Sequence, residues 1–476
     1  MKMRNAERGM LNNLIQKSNG FGLWTLGFGL LLLLTAHCSL LTVNAQLSPP
    51  SQQNQNGQAG TFLIRNARIV TVSGATVENG SLLIQNGRIA AVGANVTAPA
   101  GTETIDAAGL SVFPGMIDAA TNMGLMEIPL GSPGTDDDAE VGDMNPNARA
   151  LVAVNPHLTH IPVTRANGTT TVLTMPQGGI VSGQASIINL IGSTQPEMAV
   201  NPSFALVVDF PRVAGGFGGG FGGGFGGQPP DFEESVRTRD RRLIDLRRML
   251  KDAEAYGKAQ DAYAQNKTLP RPKTDLKLAS LVAFVRGEKP VIMIANRAID
   301  IRNAVRFADE NKLKMILMGG NDAWREADLL KQRNIPVIIT GIWSLPARED
   351  DAYDVLFENA SKLQRAGVRF AVASGDEGAN ARDLPYQAGM TAAFGLTPDE
   401  ALKSVTLYPA QILGVADRMG SLEVGKIANV VVADGDILDP RTHIRHLFIN
   451  GRKLPLNTKH TELYDQFKDR KLPVTQ

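Results

Sequence analysis

Short apolar runs rich in β-branched residues open and close the chain. Residues 62–72 and 81–92 are such runs, and Asn86-Gly87 sits inside the second, where a tight hairpin turn belongs. Residues 425–434 and 444–453 repeat the arrangement at the far end, with Asn450-Gly451 as the second turn. Two β-rich pieces at opposite ends predict one small sheet domain assembled from both.

Between them the period changes. Apolar runs at 111–117, 169–174, 204–208, 290–294, 314–317, 336–339 and 369–374 read as strands, and amphipathic stretches at 298–310, 323–332 and 351–366 read as helices. Short buried strands alternating with helices predict a parallel sheet. Seven or eight such units fit a (β/α)8 barrel, which takes about 250 residues. An open doubly wound sheet satisfies the same pattern.

The first 45 residues stand apart. Lys2, Arg4, Arg8 and Lys17 precede an uncharged apolar run at 21–43, which closes on Val43-Asn44-Ala45. This predicts a secretory signal peptide cleaved after Ala45 and an exported, periplasmic or extracellular protein. An uncleaved membrane anchor is the alternative, since the run is long enough to span a bilayer. Residues 46–60 then form a Pro/Gln/Asn-rich tether. Residues 215–227 read GGFGGGFGGGFGG, which predicts a disordered surface insertion over 215–230, and the charged run after it reads as an exposed helix. The expected domains are therefore 61–110 and 421–455 for the sheet domain, 111–420 for the barrel, and a tail at 456–476.

Composition narrows the chemistry. Lys and Arg total 48 against 47 Asp and Glu, so no nucleic-acid footprint is expected. The single cysteine, Cys38, leaves with the leader, which excludes disulfides and thiolate zinc sites from the exported chain. The same cleavage removes His37 and leaves His157, His160, His443, His446 and His460.

Several spaced motifs carry a resemblance. VFPGMID at 112–118, ANGTTTV at 166–172 and QGGIVSGQ at 177–184 precede LPYQAGMTAAFGL at 384–396, ALKSVTLYPAQILGV at 401–415 and GSLEVGKIANVVVADGD at 420–436. In this order they resemble the amidohydrolase superfamily, in particular imidazolonepropionase-like secreted amidohydrolases. The resemblance implies a (β/α)8 barrel plus a β-sandwich built from both chain ends. It also implies hydrolysis of non-peptide carbon–nitrogen bonds with a divalent metal, zinc or similar, at the C-terminal mouth of the barrel. Such a cation generates hydroxide near neutral pH and polarises the scissile group.

The ligands implied are a His-x-His pair after the first strand, histidines after the fifth and sixth, and an aspartate after the eighth. At those positions stand Ala120 and Asn122, then Ile294, then Gly319 or Met318, and finally Asp376. Only Asp376 keeps the implied residue type, which makes it the candidate catalytic residue. Asp118, Asn122, Ile294, Asn296, Gly319 and Glu377 are the pocket candidates around it, and no metal is expected.

The remaining motifs are bland. His157 and His160 are placed to share one helix face, and the acidic run Asp136-Asp137-Asp138 with Glu140 and Asp143 reads as a solvated loop. Ser182 lies in no nucleophile-elbow pattern. Two functions follow. One is an exported hydrolase working through an altered site on a small-molecule substrate. The other is a catalytically silent homologue that binds a small molecule, as a homo-oligomer or as the partner of an active relative. A membrane enters only if the leader stays attached.

Overall fold

The computed structural model describes residues 56–128, 138–213, 231–375 and 377–470. The segment read as a leader, most of the segment read as a tether, Asp136, Asp137, the glycine-phenylalanine run and Asp376 lie outside the described residues. Among those described, no helix is long and apolar enough to cross a membrane.

Order begins with five strands, β1 (Phe62–Ile69), β2 (Val77–Gln85), β3 (Arg88–Gly93), β4 (Glu103–Asp106) and β5 (Ser111–Pro114). β2 and β3 pair antiparallel around the expected turn. Asn86 (φ 52°) and Gly87 (φ 76°) both take the left-handed conformation that a two-residue hairpin requires.

The chain then leaves for a second sheet at Gly115. A Cβ there would lie 2.3 Å from Thr170, so the crossing point admits only glycine. This splits the strand expected at 111–117 into β5, in the terminal sheet, and β6 (Met116–Thr121), in the barrel. The barrel continues through β7 (Thr169–Thr174), β8 (Val181–Asn189), β9 (Ala199–Asp209), β10 (Val291–Ala295), β11 (Met315–Gly319), β12 (Val337–Ile339) and β13 (Phe370–Val372). Neighbours in the sheet follow chain order from β6 to β13. The two edges approach each other, with the Gly375 amide donating to the Ala120 carbonyl at 3.2 Å. The result is a nearly closed eight-stranded barrel rather than an open sheet.

One strand departs from the expected plan. β8 was not among the predicted strands, and it runs antiparallel to both β7 and β9. Its sequence VSGQASIIN mixes small and polar residues, which hides a strand whose nine residues are all buried. Its polar residues find partners distant in the chain: Gln184 Nε2 donates to the Pro146 carbonyl at 2.8 Å and Ser186 Oγ to the Pro202 carbonyl at 2.9 Å. Helix Ala298–Glu310 forms where predicted. The stretch at 323–332 divides into a 3-10 turn and a short helix, and that at 351–366 is helical only over Asn359–Ala366. The charged run after the insertion forms the long helix Phe232–Gln265.

Alternate residues of the barrel strands face opposite sides, as pleating dictates. Ile117, Leu173, Val207, Ile292, Ile316 and Ile338 fill the interior. Val172, Leu206, Met293, Leu317 and Val337 face the surrounding helices.

β14 (Val430–Ala433), β15 (Ile444–Ile449) and β16 (Arg452–Leu454) complete the terminal sheet, in the order β16-β15-β14-β5-β1-β2-β3, with β4 also on β1. β14 pairs antiparallel with β5, which joins the two ends of the chain. Val430, Val432 and Phe448 pack with Phe62 and Ile64, whereas Val431, Leu447 and Ile449 pack against the barrel's outer core. A buried amide network fastens sheet to barrel. Asn189 Nδ2 donates to Asn450 Oδ1 at 2.7 Å, and Asn429 Nδ2 reaches both Thr171 Oγ1 and Asn189 Oδ1 at 3.2 Å.

The two Asn-Gly turns, one from each end, touch backbone to backbone. A Cβ on Gly451 (φ 70°) would fall 2.5 Å from the Gly87 Cα. Gly451→Ala is therefore expected to destabilise the chain by about 2 kcal/mol or more, combining left-handed strain with the clash. A lowered midpoint in urea or thermal unfolding checks this; an unchanged midpoint would show that the two turns move apart freely.

Candidate functional site

The inward-facing rows of the barrel end at its C-terminal mouth, around a cavity of about 720 Å³. Period-two placement carries Val207 on to Asp209, Ile294 on to Asn296 and Ile338 on to Thr340, so each row that is apolar in the barrel becomes polar at the rim. Asp209, Asn296 and Thr340 all line the cavity, together with Gln177, Ser182, Met318, Trp343, Asp383 and Gln387.

Of the residues singled out from sequence, Ile294, Asn296, Gly319 and Glu377 line this cavity. Asp118 and Asn122 do not; both are wholly buried beside it as fasteners. Asp118 Oδ1 accepts from the Ser374 amide at 3.1 Å and the Ala120 amide at 3.3 Å, and its Oδ2 accepts from Ser374 Oγ. It thereby joins the first barrel strand to the segment after the last. Burial pushes its carboxyl up to about 7, although those hydrogen bonds pull the other way. Asn122 Oδ1 accepts from the Gly378 amide at 2.5 Å, while its Nδ2 donates to Asp138 at 2.8 Å. One residue of the acidic run is thus tied to the barrel rather than left to solvent. Ala120 sits in the barrel's interior core.

The structure adds wall residues that sequence reasoning missed. Asp209 pairs with Arg212 at 2.7 Å, and burial raises its carboxyl against the pull of that guanidinium. The signal was present in the strand 204–208, whose inward phase reaches Asp209 one step further. Asp383, Gln387 and Trp343 carry no such signal, because they lie outside the barrel strands: Asp383 ends a 3-10 turn, Gln387 is in the helix Leu384–Ala393, and Trp343 is in the segment after β12.

The histidines lie elsewhere. His157 is exposed and precedes the helix His160–Ala166, so the two do not share a helix face as expected. Burial lowers the pKa of His160, with Glu127 opposing. His443 and His446 belong to the terminal sheet region and His460 to the helix Lys459–Phe467. None of the five lines the mouth.

A divalent metal of the kind the family implies needs three or more convergent donors, imidazoles foremost. Among the described residues, no group of three or more His, Cys, Asp or Glu is placed to hold a metal ion. The positions where the resemblance implies ligands hold other residues. Gly319 (φ 91°) has Asn296 Oδ1 only 2.4 Å from where a Cβ would lie, so Asn296 occupies the space of a side chain there. Alanine, isoleucine and glycine offer no donor side chain. The described residues do not fit an imidazole-held cation. What they offer is a cleft of amides, hydroxyls and carboxylates over an apolar floor, suited to holding a small molecule by hydrogen bonds.

With this geometry in place, comparison with known proteins is informative. The Amidohydrolase family profile matches residues 309–457. The imidazolonepropionase of Mesorhizobium japonicum is 24% identical over 80% of this chain and 93% of its own length. Amidohydrolase tasK of Hapsidospora irregularis is 25% identical over 83% of this chain, which spans 43% of that longer protein. The crystal structure of an amidohydrolase from Thermotoga maritima superposes with a TM-score of 0.72 at 27% identity, covering 82% of this chain and 99% of that one. Fold and sequence agree on a hydrolase-type barrel with an accessory β domain. The profile match, the relatives and the fold all support the amidohydrolase superfamily for this chain.

Asp118 generates a pH prediction. Its folded pKa of about 7 lies above its ordinary value of 3.8, so between those limits the folded state holds the extra proton. Its contribution to stability is then full below about 3.8 and is lost as pH rises through about 7. Asp118→Asn can keep the same bonds, with its amide donating to Ser374 Oγ, and lacks the titration. Urea unfolding midpoints from pH 4 to 8 should fall for the wild type relative to Asp118→Asn; parallel curves would contradict the assignment.

Proposed function

We propose that this protein is an exported amidohydrolase-superfamily barrel whose mouth binds a small molecule without the histidine-held metal used by the superfamily's hydrolases. The observation that carries this reading is the placement of the histidines. All five that follow the leader are described, and none lines the mouth. A metal-free mouth has no group to lower the pKa of water, and an isolated carboxylate contributes only about 10²–10⁴-fold as a general base. The wall residues are better suited to recognition: amides at Asn296, Asn321 and Gln177, the Trp343 ring, and Met175 and Met318 beneath.

Hydrolysis of non-peptide carbon–nitrogen bonds is the second reading. It is supported by the full-length likeness to a protein named imidazolonepropionase. Pairing with an active relative is compatible with the first reading, since a silent barrel keeps its surface while losing its chemistry. Export is supported by the basic, apolar and small-residue sequence of positions 1–45.

Elemental analysis of untagged protein, after incubation with zinc or manganese and dialysis, separates the two. Substoichiometric metal and no turnover of cyclic amides, imides or N-acyl amino acids are expected. One equivalent of retained metal, lost in Asp376→Ala, overturns the metal-free reading. For export, N-terminal sequencing of protein recovered outside the cytoplasm should begin at Gln46. An intact leader on membrane-bound protein would instead establish the anchor.

A further inference from the structure

The mouth is not chemically uniform. Among the described residues its lining holds three carboxylates, Asp209, Glu377 and Asp383, against one guanidinium, Arg212. Arg212 is bonded to Asp209, and Arg239, Arg242 and Arg297 lie behind it near Asp209 and the buried Asp300. The arginines therefore gather where the chain leaves β9 and β10. The wall formed by the segment after β13 is different: it brings Glu377 and Asp383 to the cavity. Glu377 accepts from the neutral Asn380 Nδ2 at 3.0 Å, and no cation among the described residues forms an ion pair with it. Asp383 comes no nearer than 3.7 Å to the half-exposed guanidinium of Arg382. Burial raises the Asp383 carboxyl, an energetic cost that a bound cation would relieve.

An independent feature of the same wall points to a donor-bearing ligand. Gln387 lines the cavity, is only 5% exposed, and its Oε1 has no hydrogen-bond partner. Its amide orientation is set by chemistry. Nε2 lies 3.3 Å from the Ser374 carbonyl, which can only accept, so the oxygen is the atom left over. A buried acceptor without a donor typically costs about 1–3 kcal/mol, which a ligand N–H offsets once the Gln387 side chain turns toward the cavity, because Oε1 itself has no exposed surface in this structure. Gln387 stands one helical turn after Asp383, at the start of helix Leu384–Ala393, so the two occupy one face. Trp343, 45% exposed, lines the same cavity and offers the π-face that organic cations favour.

We propose that the barrel mouth takes a small organic cation bearing N–H donors, an amine or amidine. Glu377 and Asp383 supply the counter-charge, Gln387 Oε1 an acceptor, and Trp343 an aromatic wall. This rests on the reading of the mouth as a binding site and names its ligand class. No bond is made or broken; the selectivity is electrostatic.

The test is calorimetric titration of the full exported chain with three benzene-ring probes of similar size and different charge, benzylamine, benzyl alcohol and benzoate. Benzylamine is expected to bind saturably and at least about ten-fold tighter than either other probe. Asp383→Asn and Glu377→Gln should each weaken benzylamine by about ten-fold while leaving benzyl alcohol unchanged. The second variant alters a side chain outside the buried fasteners, so it serves if the first fails to fold. Benzoate binding more tightly than benzylamine, at a site removed by Trp343→Ala, overturns the cation assignment and leaves the mouth as a binding site. Benzylamine binding equally to wild type and both variants also overturns it. Saturable binding by none of the probes overturns both this assignment and the binding reading beneath it.

Discussion

A buried carboxylate closes this barrel. β6 and β13 are the two edges of an eight-stranded sheet, and an unpaired edge is unstable inside a protein. Asp118 reaches from the first strand to both the amide and the hydroxyl of Ser374, past the last strand, where backbone pairing thins to the bond from Gly375 to Ala120. The mouth depends on this bond. Ser374 and Gly375 line the cavity, and the Ser374 carbonyl orients Gln387. Asn122 acts in parallel by holding Gly378, which starts the acidic wall. Residues that sequence alone presents as chemistry are here the fasteners that hold the chemical wall in place.

Closure also lets one scaffold carry different sites. The interior rows deliver side chains to a common point whatever those side chains are. The packing of Ile117, Ile292, Ile316 and Ile338 is indifferent to whether the next inward residue is a histidine, an asparagine or a threonine. At Gly319, the polar end of one strand takes the space a side chain on its neighbour would need, since Asn296 Oδ1 lies against the point where a Cβ would fall. The likeness to superfamily relatives therefore speaks to the barrel, while the cleft must be argued from its own residues.

The legible parts of the fold share one property: their signal is local. Asn-Gly turns, alternation in the terminal strands and the periodicity of 298–310 depend on a few neighbouring residues, and each forms as read. β8 was lost because its small and polar residues are buried against partners far away in sequence, which no short window records. The run 111–117 looked continuous because nothing local reveals that Thr170 presses against Gly115. In the site, Ile294, Asn296, Gly319 and Glu377 were legible from strand ends and motifs, whereas Asp383, Gln387 and Trp343 were not.

The amino-acid sequence by itself determined the supply of chemistry: five histidines and no cysteine after residue 45, and alanine, asparagine, isoleucine and glycine at the positions where the resemblance implies histidine ligands. It also determined the element types, because hydrophobic period and turn residues act over short range. Only the tertiary structure decided which polar residues meet. Asp118 and Asn122 are spaced along one strand end, yet each finds its partner 256 residues away, beyond the last strand. Whether a carboxylate becomes a fastener or a ligand-facing charge is set by burial and by such distant partners, and both exist only once the barrel has closed.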